Sequence, residues 1–228
     1  MIITCISTSN IKSMKDNSVS TKVCGLINEI IKEKGKDDVK VNIISLVDYE
    51  FKPCIMCGKC SETGKCISDE SFNEIYSRIL ESDGIFLVVP HYATIPSKLT
   101  MILEKIQESC FIHYCKGNKS HFTLYKKPIG IIAHGGQQIS DEVLKYYKHA
   151  LLDVVANSLS GVGMNIVGTN DEYPNGVIFG IKDMKAVEGK LLPDMIHDMG
   201  EIKERITPLV NNMLVELEGA KKDNFSQF

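Results

Sequence analysis

Cys54, Cys57, Cys60 and Cys66 form a Cys-x2-Cys-x2-Cys-x5-Cys run. Thiolates spaced this closely can converge on one inorganic cluster, because the chain turns back on itself around the metal. Gly58 and Gly64 supply positions where unusual backbone angles are tolerated. The opening matches ferredoxin-type ligand runs, whereas structural zinc more often takes two cysteine pairs a dozen or more residues apart. A 4Fe-4S cluster is therefore the leading expectation, with free or redox-active thiols and zinc left open. Of the other cysteines, Cys5 and Cys24 fall at core positions of a strand and a helix, while Cys110 and Cys115 suit loop packing or a subunit contact.

A second constellation follows the first apolar run, Ile2-Ile3-Thr4-Cys5-Ile6. The next residues, Ser7-Thr8-Ser9-Asn10 through Asn17-Ser18-Val19-Ser20, are rich in hydroxyls and lead into a helix. Free N–H groups and the helix dipole favour an anion there, and Ser and Thr add neutral donors. The loop lacks G-x-G-x-x-G, which disfavours a dinucleotide grip. A terminal monophosphate such as that of FMN fits, and ordinary helix capping is the competing reading.

His91 and His134 each follow an apolar strand and are the candidates for proton donation near a bound ring. Packing or a backbone hydrogen bond is the commoner use of such a histidine. No Ser–His–Asp order or zincin motif supports hydrolysis.

Apolar runs alternate with helical periodicity along the chain. Strands are expected at 2–6, 39–46, 84–90, 128–133 and 163–168, and helices at 17–34, after the cysteine loop with Phe72, Ile75, Tyr76, Ile79 and Leu80 on one face, from Pro96 with Leu99, Ile102, Leu103 and Ile106, and at 141–158 and 199–217. The run 84–90 is nearly all apolar, as in the centre of a parallel sheet. In 39–46, Lys40 and Asn42 alternate with Val39, Val41 and Ile43, as in an edge strand. The expected fold is α/β: a doubly wound, five-stranded parallel sheet in three layers, with insertions near 109–127 and 170–198. Residues 1–218 form one expected domain with its cysteine loop at 50–67, and 219–228 form a polar tail.

Hydrophobic residues make up 43% and charged residues 24% of the 228, near globular averages. A net charge of −3, without charge blocks, recommends neither nucleic acid nor an anionic membrane as a partner. No signal-peptide pattern or membrane-length apolar run occurs, and eight cysteines suit a reducing compartment, so a cytoplasmic location is expected.

Over roughly residues 1–135 the chain resembles the iron–sulfur flavoproteins within the NADPH-dependent FMN reductase group. The resemblance rests on the Ser-rich loop with Asn17-Ser18, on Lys52-Pro53-Cys54-Ile55-Met56-Cys57-Gly58-Lys59-Cys60 through Gly64-Lys65-Cys66, and on Val88-Val89-Pro90-His91-Tyr92. It implies that Ser7, Ser9, Ser18, Val19 and Ser20, beside Asn10, hold the FMN phosphate side. It also implies that Pro90, His91, Tyr92, Ala93 and Thr94 run along the isoalloxazine, with His134, Gly135 and Gly136 closing the other side after the fourth strand. Relatives often place an arginine in the phosphate loop, where this chain has Ile11 and Lys12; Lys12 or Lys15 would serve as a point charge instead. After the fourth cysteine this chain has Ser68-Asp69-Glu70-Ser71 in place of Asp-Asp-Met.

The resemblance implies a flavodoxin-like α/β fold and an FMN-dependent oxidoreductase that exchanges electrons with a cysteine-bound cluster, fed by ferredoxin or NAD(P)H, and assembled as a homodimer or homotetramer. Two alternatives stand: a cluster-free NAD(P)H-dependent FMN or quinone reductase, and a non-enzymatic electron carrier.

Overall fold

A computed structural model describes residues 1–117, 122–189 and 193–225, without the side chains of Lys15 and 221–225. Five parallel strands lie in the order β2-β1-β3-β4-β5: β1 Ile2–Ser7, β2 Lys40–Ser45, β3 Gly84–Pro90, β4 Pro128–Gln138 and β5 Asn165–Val167. That order is the flavodoxin-like one, with its switch point between β1 and β3. Register places Ser7 beside Ser45 and Val88, and Pro90 beside His134, so the loops expected to bind a ligand share the carboxyl edge.

Helices cover both faces. α1 (Val19–Glu33) and α7 (Met199–Phe225) pack on one side, where Ile3, Cys5, Val88, Phe86 and Ile132 meet Ile27, Ile206, Leu209 and Met213. On the other side Ile6, Leu87, Val89 and Ile131 meet α3 (Glu70–Glu81), α4 (Ser97–Cys115) and a helical stretch of α5 (Asp141–Tyr147) and α6 (Asp153–Gly161). Each fully buried branched side chain contributes about 1.5–3 kcal/mol. A π-helical segment, Lys148–Leu152, joins α5 to α6.

Several expectations need correction. β4 continues to Gln138, so His134, Gly135 and Gly136 lie within the strand and not after it. Its second half pairs with a further parallel strand, β6 (Val177–Ile181), which draws part of the 170–198 insertion into the main sheet. Gly176, at φ +142, permits that crossover because a Cβ there would strike the Ile131 carbonyl. The remainder of the insertion includes an antiparallel hairpin, β7 (Asp183–Lys185) with β8 (Asp194–Ile196).

Residues 109–115 of the other expected insertion extend α4, since nothing in Ser109–Cys115 breaks a helix before Gly117. Residues 118–121 and 190–192 of the two insertions lie outside the described residues, as do 226–228 of the tail. α7 runs through 219–225, where Ala220, Lys221 and Lys222 favour helix. In β2 the buried residue is Ile44, while Ile43 is exposed, because Ile44 faces the α3 side together with Ile6.

Candidate functional site

The loop after β1 buries its hydroxyls. Ser7, Thr8, Ser9, Ser18 and Ser20 are all nearly inaccessible, although polar residues normally seek solvent. Ser18 caps α1: its Oγ accepts the Thr21 N–H at 3.2 Å and lies 2.9 Å from Thr21 Oγ1, which in turn donates to Ser7 Oγ at 2.9 Å. This chain of hydroxyls pins the helix start to the end of β1. The N–H groups of Val19 and Ser20 belong to the first turn, whose amides have no intrahelical acceptor. Asn10 Oδ1 is buried without a hydrogen-bond partner. An unsatisfied buried acceptor costs about 1–3 kcal/mol, and a ligand hydroxyl or N–H would remove that cost. The residues present therefore fit a phosphorylated, hydroxyl-bearing ligand. Lys12 is exposed in this loop, and the Lys15 side chain lies outside the described residues.

Beyond β3 the backbone is strained. Ala93 and Thr94 occupy left-handed angles in succession, at φ 42 and 75, which β-branched threonine rarely adopts. Strain of this kind, about 1–3 kcal/mol per residue, persists where surrounding structure holds a loop for a purpose. His91 N–H donates to the His134 carbonyl at 2.7 Å, and Tyr92 Oη lies 3.4 Å from Ser9 Oγ, linking the β3 and β1 loops. His91 Nε2 lies 3.1 Å from Tyr146 Oη, and its ring is within 5.3 Å of the Tyr147 ring.

His134 is held differently. Its ring stacks on Phe179 at 5.0 Å, and Nε2 lies 2.8 Å from Ser20 Oγ. Burial, reinforced by nearby His197, pushes its pKa down to about 3, so the imidazole stays neutral near pH 7. A proton donor at neutral pH needs a more basic and more accessible ring; His91 has the accessible position. Gly135 and Gly136 also have specific neighbours: a Cβ at Gly135 would run into the Tyr147 phenol, and one at Gly136 into Met195 of β8. Their small size admits these side chains to the strand.

The cysteine loop packs along α4. Cys54, Cys57, Cys60 and Cys66 all line one open hollow, with Phe72, Lys105 and Glu108 in its wall. Cys60 opens the short helix α2 (Cys60–Thr63), which Gly64 ends at φ 70; Met56 and Gly58 are also left-handed, at φ 50 and 67. Asn73 clamps Cys66 through both of its backbone polar groups: Oδ1 accepts the Cys66 N–H at 2.8 Å and Nδ2 donates to its carbonyl at 2.8 Å. Burial raises the Cys60 thiol pKa, helped by the Glu108 carboxylate and by Cys54 and Cys57. Among the described residues, no three His, Cys, Asp or Glu side chains are gathered around a single-ion position. The four thiols border one shared open space.

Two residues that the sequence did not single out as site members support this loop. Lys105 and Asp69 form a buried ion pair at 2.8 Å, and Lys105 also donates to the Lys52 carbonyl. Asp69 caps α3 through Phe72 N–H at 3.0 Å and accepts Lys52 N–H at 2.9 Å. Burial opposes the Asp69 charge, but these hydrogen bonds, led by that from Lys105, hold its pKa below the usual carboxylate value. Lys98 adds hydrogen bonds to the carbonyls of Leu46, Val47 and Tyr49. α4 is thus the template on which the segment entering the cysteine loop is laid. By contrast Cys5 and Cys24 are fully buried thiols whose pKa values burial raises, and Cys110 is buried in the core.

A family model described as NADPH-dependent FMN reductase matches residues 11–169. An iron–sulfur flavoprotein of Methanocaldococcus jannaschii is 32% identical over 81 residues, which are 35% of this chain and 42% of that protein. The chain therefore spans less than half the length of that relative. An iron–sulfur flavoprotein of Methanosarcina thermophila is 25% identical over 153 residues, covering 67% of this chain and 71% of that one. Among solved structures, a flavone reductase superposes with a TM-score of 0.61 at 16% identity, over 97% of this chain and 64% of that one. An NADH:FMN oxidoreductase gives a TM-score of 0.51 at 15% identity, over 96% and 89%. These two likenesses establish the fold.

Proposed function

The chain belongs to the NADPH-dependent FMN reductase family, and on that premise we propose that it is an FMN-dependent electron-transfer oxidoreductase of the iron–sulfur flavoprotein type, with ferredoxin or NAD(P)H as donor. The observation that carries the finer reading is the hollow shared by Cys54, Cys57, Cys60 and Cys66. Two relatives named iron–sulfur flavoproteins support it.

FMN, when bound, supplies one- and two-electron chemistry at its ring, and a 4Fe-4S cluster supplies single electrons. The protein's part is to hold and shield these groups. Ser7, Ser9, Ser18 and the first amides of α1 would hold the phosphate, with Asn10 Oδ1 taking a ligand donor. Pro90 to Thr94 would border the ring, their backbone fixed by the His91–His134 hydrogen bond. The neutral His134, locked between Ser20 and Phe179, supports that wall without exchanging a proton at pH 7. The four thiols would ligate the cluster.

Among the described residues no helix is long and apolar enough to cross a membrane. A reducing, cytoplasmic setting is proposed because the four-thiol site requires free cysteines. Assembly as a homodimer or homotetramer is supported by the exposed Phe111 on α4 and the exposed Met184 and Met195 on the hairpin.

Protein isolated without oxygen should carry about one FMN, with iron and acid-labile sulfide near four each per chain. Absence of iron and sulfide after reconstitution would contradict the cluster. The absence of a gathered ligand set among the described residues favours one second reading, a cluster-free NAD(P)H-dependent FMN or quinone reductase. NAD(P)H oxidation that survives in a Cys54→Ser, Cys57→Ser double variant would support that reading.

A further inference from the structure

Two opposite charges stand less than one helical turn apart on the α4 wall of the cysteine hollow. Lys105 is buried, with only 3% of its side chain exposed, and its Nζ pairs with Asp69 while lying 5.4 Å over the Phe72 ring. Among the described residues the wall includes Lys105 and Phe72 but not Asp69, so of the buried pair it is the lysine that borders the hollow. Glu108 is half-buried and lines the same hollow.

A buried ion pair is weak evidence of a stability role, because an apolar pair of equal volume often serves as well or better. A cap for α3 needs only Asp69, and Leu99, Ile102 and Ile106 show what the same face of α4 uses where it only packs. The position of Lys105 has a direct electrostatic consequence. A four-thiolate iron–sulfur centre is anionic and gains a further negative charge on reduction, and a fixed charge in a poorly screened wall acts on that difference.

We propose that Lys105 and Glu108 are opposed positioning charges that set the reduction potential of the group held by Cys54, Cys57, Cys60 and Cys66, Lys105 favouring its reduced form and Glu108 its oxidised form. The proposal rests on the four-cysteine reading. Lys105 acts through its fixed orientation on Asp69 and the Lys52 carbonyl, not by ligating metal.

The test is a potentiometric titration of anaerobically reconstituted protein, following cluster and flavin separately by absorbance and electron paramagnetic resonance. In the protein that loads iron and sulfide, Lys105→Met should shift the cluster couple negative by at least tenfold in its oxidised-to-reduced ratio, about 59 mV for one electron. Glu108→Gln should shift it positive, Lys105→Arg should keep the wild-type sign, and the flavin couple should stay in place in all three. Unchanged cluster potentials, or shifts of the same sign in Lys105→Met and Glu108→Gln, overturn the proposal. If Lys105→Met does not fold, Glu108→Gln decides alone: a positive shift supports the proposal and none overturns it. If wild-type protein takes up no iron or sulfide, the four-cysteine reading itself fails and the proposal falls with it, a result visible before any substitution is made.

Discussion

Ser20 Oγ lies 2.8 Å from Nε2 of His134 although 114 residues separate them, tying the first turn of α1 to the middle of β4. This contact links the helix start suited to a phosphate with the strand suited to border a ring. His134 serves it as a neutral, stacked imidazole.

The pH dependence of stability reports that neutrality. The folded pKa of His134 is depressed to about 3 from an ordinary value of 6.5, so between those values the unfolded chain binds the extra proton. Stability is full above about pH 6.5 and falls as pH drops towards 3, by up to about 1.4 kcal/mol per unit for this group. Urea unfolding at pH 7 and pH 4.5 should show a smaller acid loss in His134→Gln than in wild type. His197, also depressed chiefly by burial, acts with the same sign in both proteins.

Asp69→Ala should destabilise the protein by about 3–5 kcal/mol, because it leaves Lys105 as a buried unpaired charge. It also removes the cap on Phe72 N–H. The double variant Lys105→Met, Asp69→Leu should recover much of that loss. Denaturant midpoints check both expectations.

Gly135→Ala should cost about 1–3 kcal/mol, since the new methyl takes the place of the buried Tyr147 phenol and disturbs its hydrogen bond from Gln137 N–H at 3.1 Å. Gly25→Ala provides the contrast. That position lies inside α1, where an added methyl would meet nothing within 4 Å, so alanine should stabilise by about 0.5–1 kcal/mol. Thermal melts of the two variants should move in opposite directions.

The alternation of strands and helices and the cysteine run were legible because strong periodic runs and clustered cysteines are local signals. The extension of β4 was obscured by Gly135 and Gly136, which were expected to follow the strand and instead lie within it, making room for Tyr147 and Met195. β6 was lost in a long connection because its five residues acquire their meaning only by pairing with β4. Lys105 did leave a trace: a single charge on the buried stripe of Leu99, Ile102 and Ile106. Its partner Asp69 lies 36 residues away in sequence, and no local pattern joins them. The strain at Ala93 and Thr94 likewise depends on the surrounding fold and not on residue type.

FMN against riboflavin is the most direct comparison for the central claim that the β1 loop and the start of α1 grip a phosphate. Apoprotein titrated with FMN, followed by quenching of flavin fluorescence, should saturate at one per chain and bind riboflavin at least tenfold more weakly, a difference of about 1.4 kcal/mol. Equal affinity for the two flavins, or no uptake of FMN, would contradict the account.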